Sequence, residues 1–121
     1  MVWVGMILTA LVAIEHFYIL MLEMFMWNTP RARKVFGTNE AFAESTKSLA
    51  ANQGLYNGFL AAGLLWGLIH PDASFGHQIQ LFFLSCVIVA AVYGSFSAKR
   101  SIFFTQGLPA VLAMSAVLFL Q

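Results

Sequence analysis

Glu15, His16 and Glu23 stand in one apolar run, Ala13-Ile14-Glu15-His16-Phe17-Tyr18-Ile19-Leu20-Met21-Leu22-Glu23-Met24-Phe25. Two carboxyls and an imidazole can hold a cation or a hydrogen-bond donor, or pass a proton. An acidic residue at the centre of a bilayer costs about 2.5–3.5 kcal/mol, so its presence needs a return in structure or function. On an α-helix, His16 and Glu23 are seven apart and share a face, two turns apart. Glu15 lies about 100° round from His16, and all three can point into one half of the helix surface. Glu15 and His16 are expected near the membrane midplane. Glu23 falls roughly 12 Å nearer the inner side, at about 1.5 Å per residue.

A second polar group opens the next apolar stretch, Ala51-Asn52-Gln53-Gly54-Leu55-Tyr56-Asn57-Gly58. Gln53 and Asn57 are four apart on one helical face, with Tyr56 beside them and Asn52 further round. This stretch runs the opposite way, so its amides fall in the inner half too, at depths shared by Tyr93 and Gln106. The candidate ligand-binding set is therefore Glu15, His16, Glu23, Asn52, Gln53, Tyr56, Asn57 and Tyr93. One reading is a hydrated intramembrane pocket, opening to the inner side, that binds or transports a small polar or amphipathic ligand. The bland reading is an interhelical network worth about 0.6 kcal/mol per bond on average. Two glutamates and a histidine favour the pocket, because Ser, Asn or Gln supply packing bonds at lower cost. A membrane enzyme acting on a lipophilic substrate, with His16 or a glutamate as acid or base, is the alternative from another class. A structural partner subunit is the third.

Other chemistry is poorly served. None of the three ionisable residues has the Glu-x-x-His spacing of di-metal bundles. His70 and His77 flank Asp72 in what reads as a turn, so no metal is expected. Ser85 and Cys86 have no base nearby in sequence. There is no phosphate loop, haem motif or dinucleotide fingerprint, so no cofactor is expected.

The elements that must position this set follow from composition. Of 121 residues, 60% are hydrophobic and 9% charged, against about 25% charged in a soluble domain; mean hydropathy is +0.81. Six basic and five acidic side chains cannot cover a soluble surface of this size. A net charge of +1 gives no footprint for nucleic acid. The expectation is an integral membrane protein of one domain, residues 1–121, whose first partner is the lipid bilayer. Four apolar stretches, about 2–27, 49–69, 77–97 and 102–120, approach the roughly 20 residues a span needs. The fold class is thus all-α, a bundle of four transmembrane helices. Pro109 should kink the last helix or sit in its first turn, because the 12 residues from Pro109 to Leu120 rise only about 18 Å. The first span lacks a basic leading segment and carries three ionisable residues, so it is not expected to be a cleaved signal peptide.

All six basic residues lie in the connections 28–48 and 98–101. The positive-inside rule puts these in the cytoplasm and both termini outside. Trp3 and Trp66 then mark the outer interface and Trp27 the inner one. The single Cys86 lies in the third span and reads as a small buried residue. Within the long inner connection, Asn39-Glu40-Ala41-Phe42-Ala43-Glu44 reads as a capped amphipathic turn. Small residues recur as Ala50, Gly54, Gly58 and Ala62, as Gly63 and Gly67, and as Ala90, Gly94 and Ala98. Such faces let helices approach closely, and they make a homo-oligomer a candidate assembly. One subunit is too small for a broad aqueous path, so transport would need that oligomer.

The runs Glu15-His16-Phe17-Tyr18-Ile19 through Glu23-Met24-Phe25, then Thr29-Pro30-Arg31, Val35-Phe36-Gly37, and Ala51 to Ala61 resemble a family of small bacterial four-helix inner-membrane proteins. That family is catalogued only as a domain of unknown function. The resemblance covers nearly the whole chain and implies one membrane domain, with no activity attached. More remotely, the chain is similar to membrane-associated proteins of eicosanoid and glutathione metabolism. Their second helix bears Asn-x-x-Glu-Asn near its inner end. Gln53, Tyr56 and Asn57 fall on those positions, so only the last residue is kept, and that family's thiol-cofactor arginines have no match in the second span.

Overall fold

Local signals set the ends of five helices in the computed structural model, which describes residues 1–120. Helix α1 spans Val2–Leu20 and continues through a wider π-turn, Met21–Phe25. Thr29 caps α2 (Pro30–Phe36): its hydroxyl accepts from Ala32 N at 3.3 Å and donates to Met26 O at 2.7 Å. Pro30 costs no hydrogen bond in the first turn. Gly37, at φ 69°, takes the left-handed position that closes the helix. Thr29→Ala is expected to cost about 1 kcal/mol of stability, read as a lowered unfolding midpoint in detergent by circular dichroism.

Helix α3 spans Glu40–Ile69, 30 residues. Its start is fixed by Asn39, whose Oδ1 accepts from Phe42 N at 2.8 Å. The helix-forming run of Ala, Glu, Lys and Leu that follows contains no breaker. The connection expected over 28–48 is therefore largely helical, and the helix holding the second apolar stretch begins well before Leu49. Asp72 caps α4 (Ala73–Ser97) by accepting from Phe75 N at 3.1 Å. A second π-turn, Phe103–Gly107, leads into α5 (Leu108–Phe119), with Pro109 in its first turn. Proline removes one helical N–H, and the wider turn absorbs the resulting gap in the ladder. Among the described residues there is no strand.

Two of these helical stretches, Val2–Phe25 and Ala73–Ser97, are long and apolar enough to cross a membrane. Only 33% and 22% of their apolar windows are buried, unlike the core helix of a soluble protein. The fourth stretch forms a shorter apolar helix, Phe103–Phe119. In α3, Asn52, Gln53 and Asn57 interrupt the apolar run.

The chain forms two compact units. The first comprises Met1–Ile14 and Leu60–Gln121. Its core draws on four helical segments: Val12 and Ala13, Leu64, Leu84 and Val87, then Ala110, Ala113 and Val117. Gly63 in α3 faces the Phe83 ring, and Gly67 faces Gln80. The second unit is Glu15–Phe59. Here Gly58 faces Leu20, and Gly54 faces Met24 and Glu23, so the end of α1 with its π-turn runs antiparallel to α3. These four glycines thus serve packing within the chain, whereas Ala62, Ala90 and Ala98 are exposed.

Candidate functional site

The first helix and its π-turn carry Glu15, His16 and Glu23, all within the second unit. His16 is buried at 1% exposure and Glu23 at 2%, while Glu15 is half-buried. Glu23 lies in the π-turn directly after Leu22, which is also buried. A π-turn adds a residue to the helical circuit and so re-aims the side chains it carries, which is why such turns recur at functional sites.

Helix α3 supplies the partner. Asn57 Nδ2 donates to Glu23 Oε1 at 2.6 Å. The reach is short because Gly54 lies opposite: a Cβ there would fall 2.9 Å from Glu23 Cβ and 2.7 Å from Met24 Cγ. The small residues thus set the helix separation, and the amide uses it.

Glu15 differs from Glu23. Its Oε1 is shielded from solvent and has no hydrogen-bond partner among the described residues. Buried polar atoms in folded proteins are almost always paired; Glu15 Oε1 shares this exception with Thr9 Oγ1, Thr38 Oγ1 and Gln80 Oε1.

The remaining candidates lie elsewhere. Asn52, Gln53 and Tyr56 are exposed, Tyr56 at 60%, with its ring edge-on to Phe59 at 5.8 Å. Tyr93 belongs to the first unit and is 73% exposed. The structure therefore joins Glu23 to Asn57, keeps Glu15 and His16 on the adjoining turns, and leaves the other four on exposed surface.

A polar network follows the π-turn within the same unit. Arg31 Nη1 donates to the Tyr18 hydroxyl at 2.6 Å. Arg33 Nη1 donates to Asn28 O and Oδ1, both at 2.8 Å, and Asn28 Nδ2 donates to Glu44 Oε2 at 3.3 Å. Trp27 Nε1 donates to Thr46 Oγ1 at 3.1 Å. Lys47, bonded to Glu44 at 2.9 Å, and then Asn28 hold the Glu44 carboxyl below its usual range. Tyr18 was absent from the candidate set, although it lies two residues after His16 in the same run. Two buried polar residues of the first unit were also absent from it. Gln80 Nε2 donates to Gly67 O at 3.2 Å, while Gln80 Oε1 and Thr9 Oγ1 have no partner among the described residues. Their signal was available: each is a polar side chain inside an apolar run. Among the described residues, no three of His, Cys, Asp and Glu converge as metal ligands would.

A family model described as a protein of unknown function, DUF1304, matches residues 10–118. An uncharacterized protein, YpaA, of Lactococcus lactis subsp. lactis (strain IL1403) is 36% identical over 115 residues, 93% of this chain and 95% of that protein. No solved structure matches the chain. The similarity to proteins of eicosanoid and glutathione metabolism rests on the sequence pattern alone.

Proposed function

We propose that this chain, which belongs to the DUF1304 family of unknown function, is a four-span membrane protein that binds a small molecule through Glu15. The ligand class that suits a shielded carboxyl oxygen is one bearing a cationic or hydrogen-bond-donating group. The observation that carries the reading is the unpartnered Glu15 Oε1 beside buried His16. The Glu23–Asn57 bond supports a bracing role for that pair, so Glu15 and His16 form the ligand-facing centre and Glu23 holds the helices that frame it. Asn52, Gln53, Tyr56 and Tyr93, all exposed, would meet ligand only along an entry path.

The membrane setting has independent support. Trp3, Ile14, Phe25, Phe82, Val89 and Phe119 are large apolar side chains left exposed, a surface suited to lipid rather than water. The six basic residues in connections 28–48 and 98–101 favour a cytoplasmic position for both, with the termini outside.

The test is mass spectrometry of small molecules that copurify with the protein in mild detergent. Glu15→Gln keeps the shape and removes the charge. Wild-type protein is expected to carry a species depleted at least tenfold in Glu15→Gln and in His16→Ala, with helicity unchanged by circular dichroism. An equal load in wild type and Glu15→Gln, or a wild type carrying no such species, would overturn the reading.

A further inference from the structure

A groove of about 330 Å³ opens in the first unit where α4 ends and the second π-turn begins. It is lined by Ser95, Phe96, Arg100, Phe103 and Phe104. Three phenyl rings make its walls, and one guanidinium is its charged element. Phe103 and Phe104 meet edge-on, with ring centroids 5.7 Å apart, which holds the wall in one shape. Phe96 is 87% exposed and Phe104 64% exposed. The Ser95 hydroxyl is already spent on Val92 O, at 2.7 Å. Arg100 is therefore the polar group free to meet a ligand: it is exposed, its carbonyl accepts from Phe103 N at 3.1 Å, and its guanidinium has no hydrogen-bond or ion-pair partner among the described residues.

Aromatic walls with a single cation at the rim fit an amphipathic anion. Arginine matches phosphate with two parallel N–H donors, a geometry that lysine lacks. Lys99 precedes Arg100 in sequence, and both lie in the connection that the charge pattern assigns to the inner leaflet. Basic pockets between transmembrane helices on that side suit lipid phosphates. We propose that this groove is a binding site for an anionic glycerophospholipid of the inner leaflet. Arg100 grips the phosphate, and Phe96, Phe103 and Phe104 lie along the first part of the acyl chains. The site depends on the membrane setting argued above, and not on Glu15.

The local fold explains why the groove exists. At Gly107 a Cβ would come within 2.8 Å of the Phe103 ring and 3.0 Å of Ala91 Cβ, so glycine there lets the π-turn press Phe103 toward α4. The same turn accommodates Pro109. The groove is thus a by-product of the device that starts α5.

The experiment is native mass spectrometry of the detergent-purified protein, titrated separately with phosphatidylglycerol and phosphatidylcholine. Wild type is expected to retain phosphatidylglycerol at least fivefold better. Arg100→Gln, a change at an exposed side chain, should bring the two lipids level. Phe104→Ala should lower retention of both. Lys47→Gln, a basic position remote in sequence, and Glu15→Gln should leave the preference intact. Equal retention of the two lipids by wild type overturns the proposal, as does an unchanged preference in Arg100→Gln. An equal loss in Lys47→Gln overturns it in favour of diffuse charge. Displacement of the lipid by millimolar inorganic phosphate alone overturns the lipid as its occupant. Loss in Glu15→Gln with retention in Arg100→Gln would move the lipid to the Glu15 site instead.

Discussion

Asn57→Leu is expected to destabilise the protein by about 2–3 kcal/mol, the largest effect of any single change on the polar face. Three magnitudes set that figure. An interhelical hydrogen bond in a membrane protein averages about 0.6 kcal/mol and reaches about 1.7. A buried group that loses its partner costs about 1–3 kcal/mol. Breaking a buried ion pair costs about 3–5 kcal/mol. Glu23 is 2% exposed and accepts the Asn57 amide at 2.6 Å. Removing that amide would leave a buried carboxyl oxygen without its donor, so the second magnitude governs; the partner is a neutral amide, so the third lies above it. The cycle that isolates the pair uses Glu23→Gln, which keeps an acceptor and should cost less than about 1 kcal/mol. Glu23→Leu combined with Asn57→Leu should recover most of the Asn57→Leu loss, because no orphan remains. The readout is the unfolding midpoint in detergent. A loss of about 0.6 kcal/mol or less in Asn57→Leu would show the bond to be ordinary glue and would remove Glu23 as a buried constraint.

That Glu23 and Asn57 belong to one polar group was legible in the sequence, because polar residues in apolar runs have few places to go; that they bond to each other was not. The seven-residue interval from His16 to Glu23 predicts a shared face, and both are buried. Helical spacing groups Asn52, Gln53 and Tyr56 with them, yet these three are exposed. The reason lies in which stripe of α3 wins the contact. Ala50, Gly54 and Gly58 let the backbones close up, so they take the inward position. Asn57 stands next to Gly58 and reaches in, while Gln53 and Asn52 are carried round to the outside. Spacing alone ranks Gln53 with Asn57, and only the steric preference for small residues separates them.

Helix α2 was legible in its end signals, though hydropathy reads it as connection. Thr29-Pro30 is a cap followed by a first-turn proline, and Gly37 supplies the left-handed stop. Its seven residues are too short to show an apolar period, which is why hydropathy passes over it. The π-turns were not legible. Nothing in Met-Leu-Glu-Met-Phe distinguishes a π-turn from an α-turn, because the extra residue is set by what packs against the helix. Gln80 could have been read, since an amide in the apolar run after Gly76 has no solvent to reach.

Gly76→Ala and Gly67→Ala are expected to be the most damaging changes in the first unit, at about 2–3 kcal/mol each. A Cβ at Gly76 would lie 2.6 Å from Gly67 O. One at Gly67 would lie 2.7 Å from Gln80 Cγ and 3.0 Å from both Gln80 N and Gly76 O. Several of these atoms are backbone, so relief requires α3 and α4 to move apart rather than a side chain to turn. Overpacking of this kind costs about 1–3 kcal/mol. Separation would also stretch the Gln80–Gly67 bond, already 3.2 Å, and leave both ends of the buried amide unpaired. The upper half of the range therefore applies. The two changes act on one gap, so the double variant should lose clearly less than the sum of the singles. Gly94→Ala is the control: its Cβ would meet only Ile102, at 3.1 Å, a side chain that can rotate away. It should cost less than about 1 kcal/mol. Unfolding midpoints that ranked Gly94→Ala with or below Gly76→Ala would mean that the α3–α4 approach is not the close contact that holds this end of the unit together.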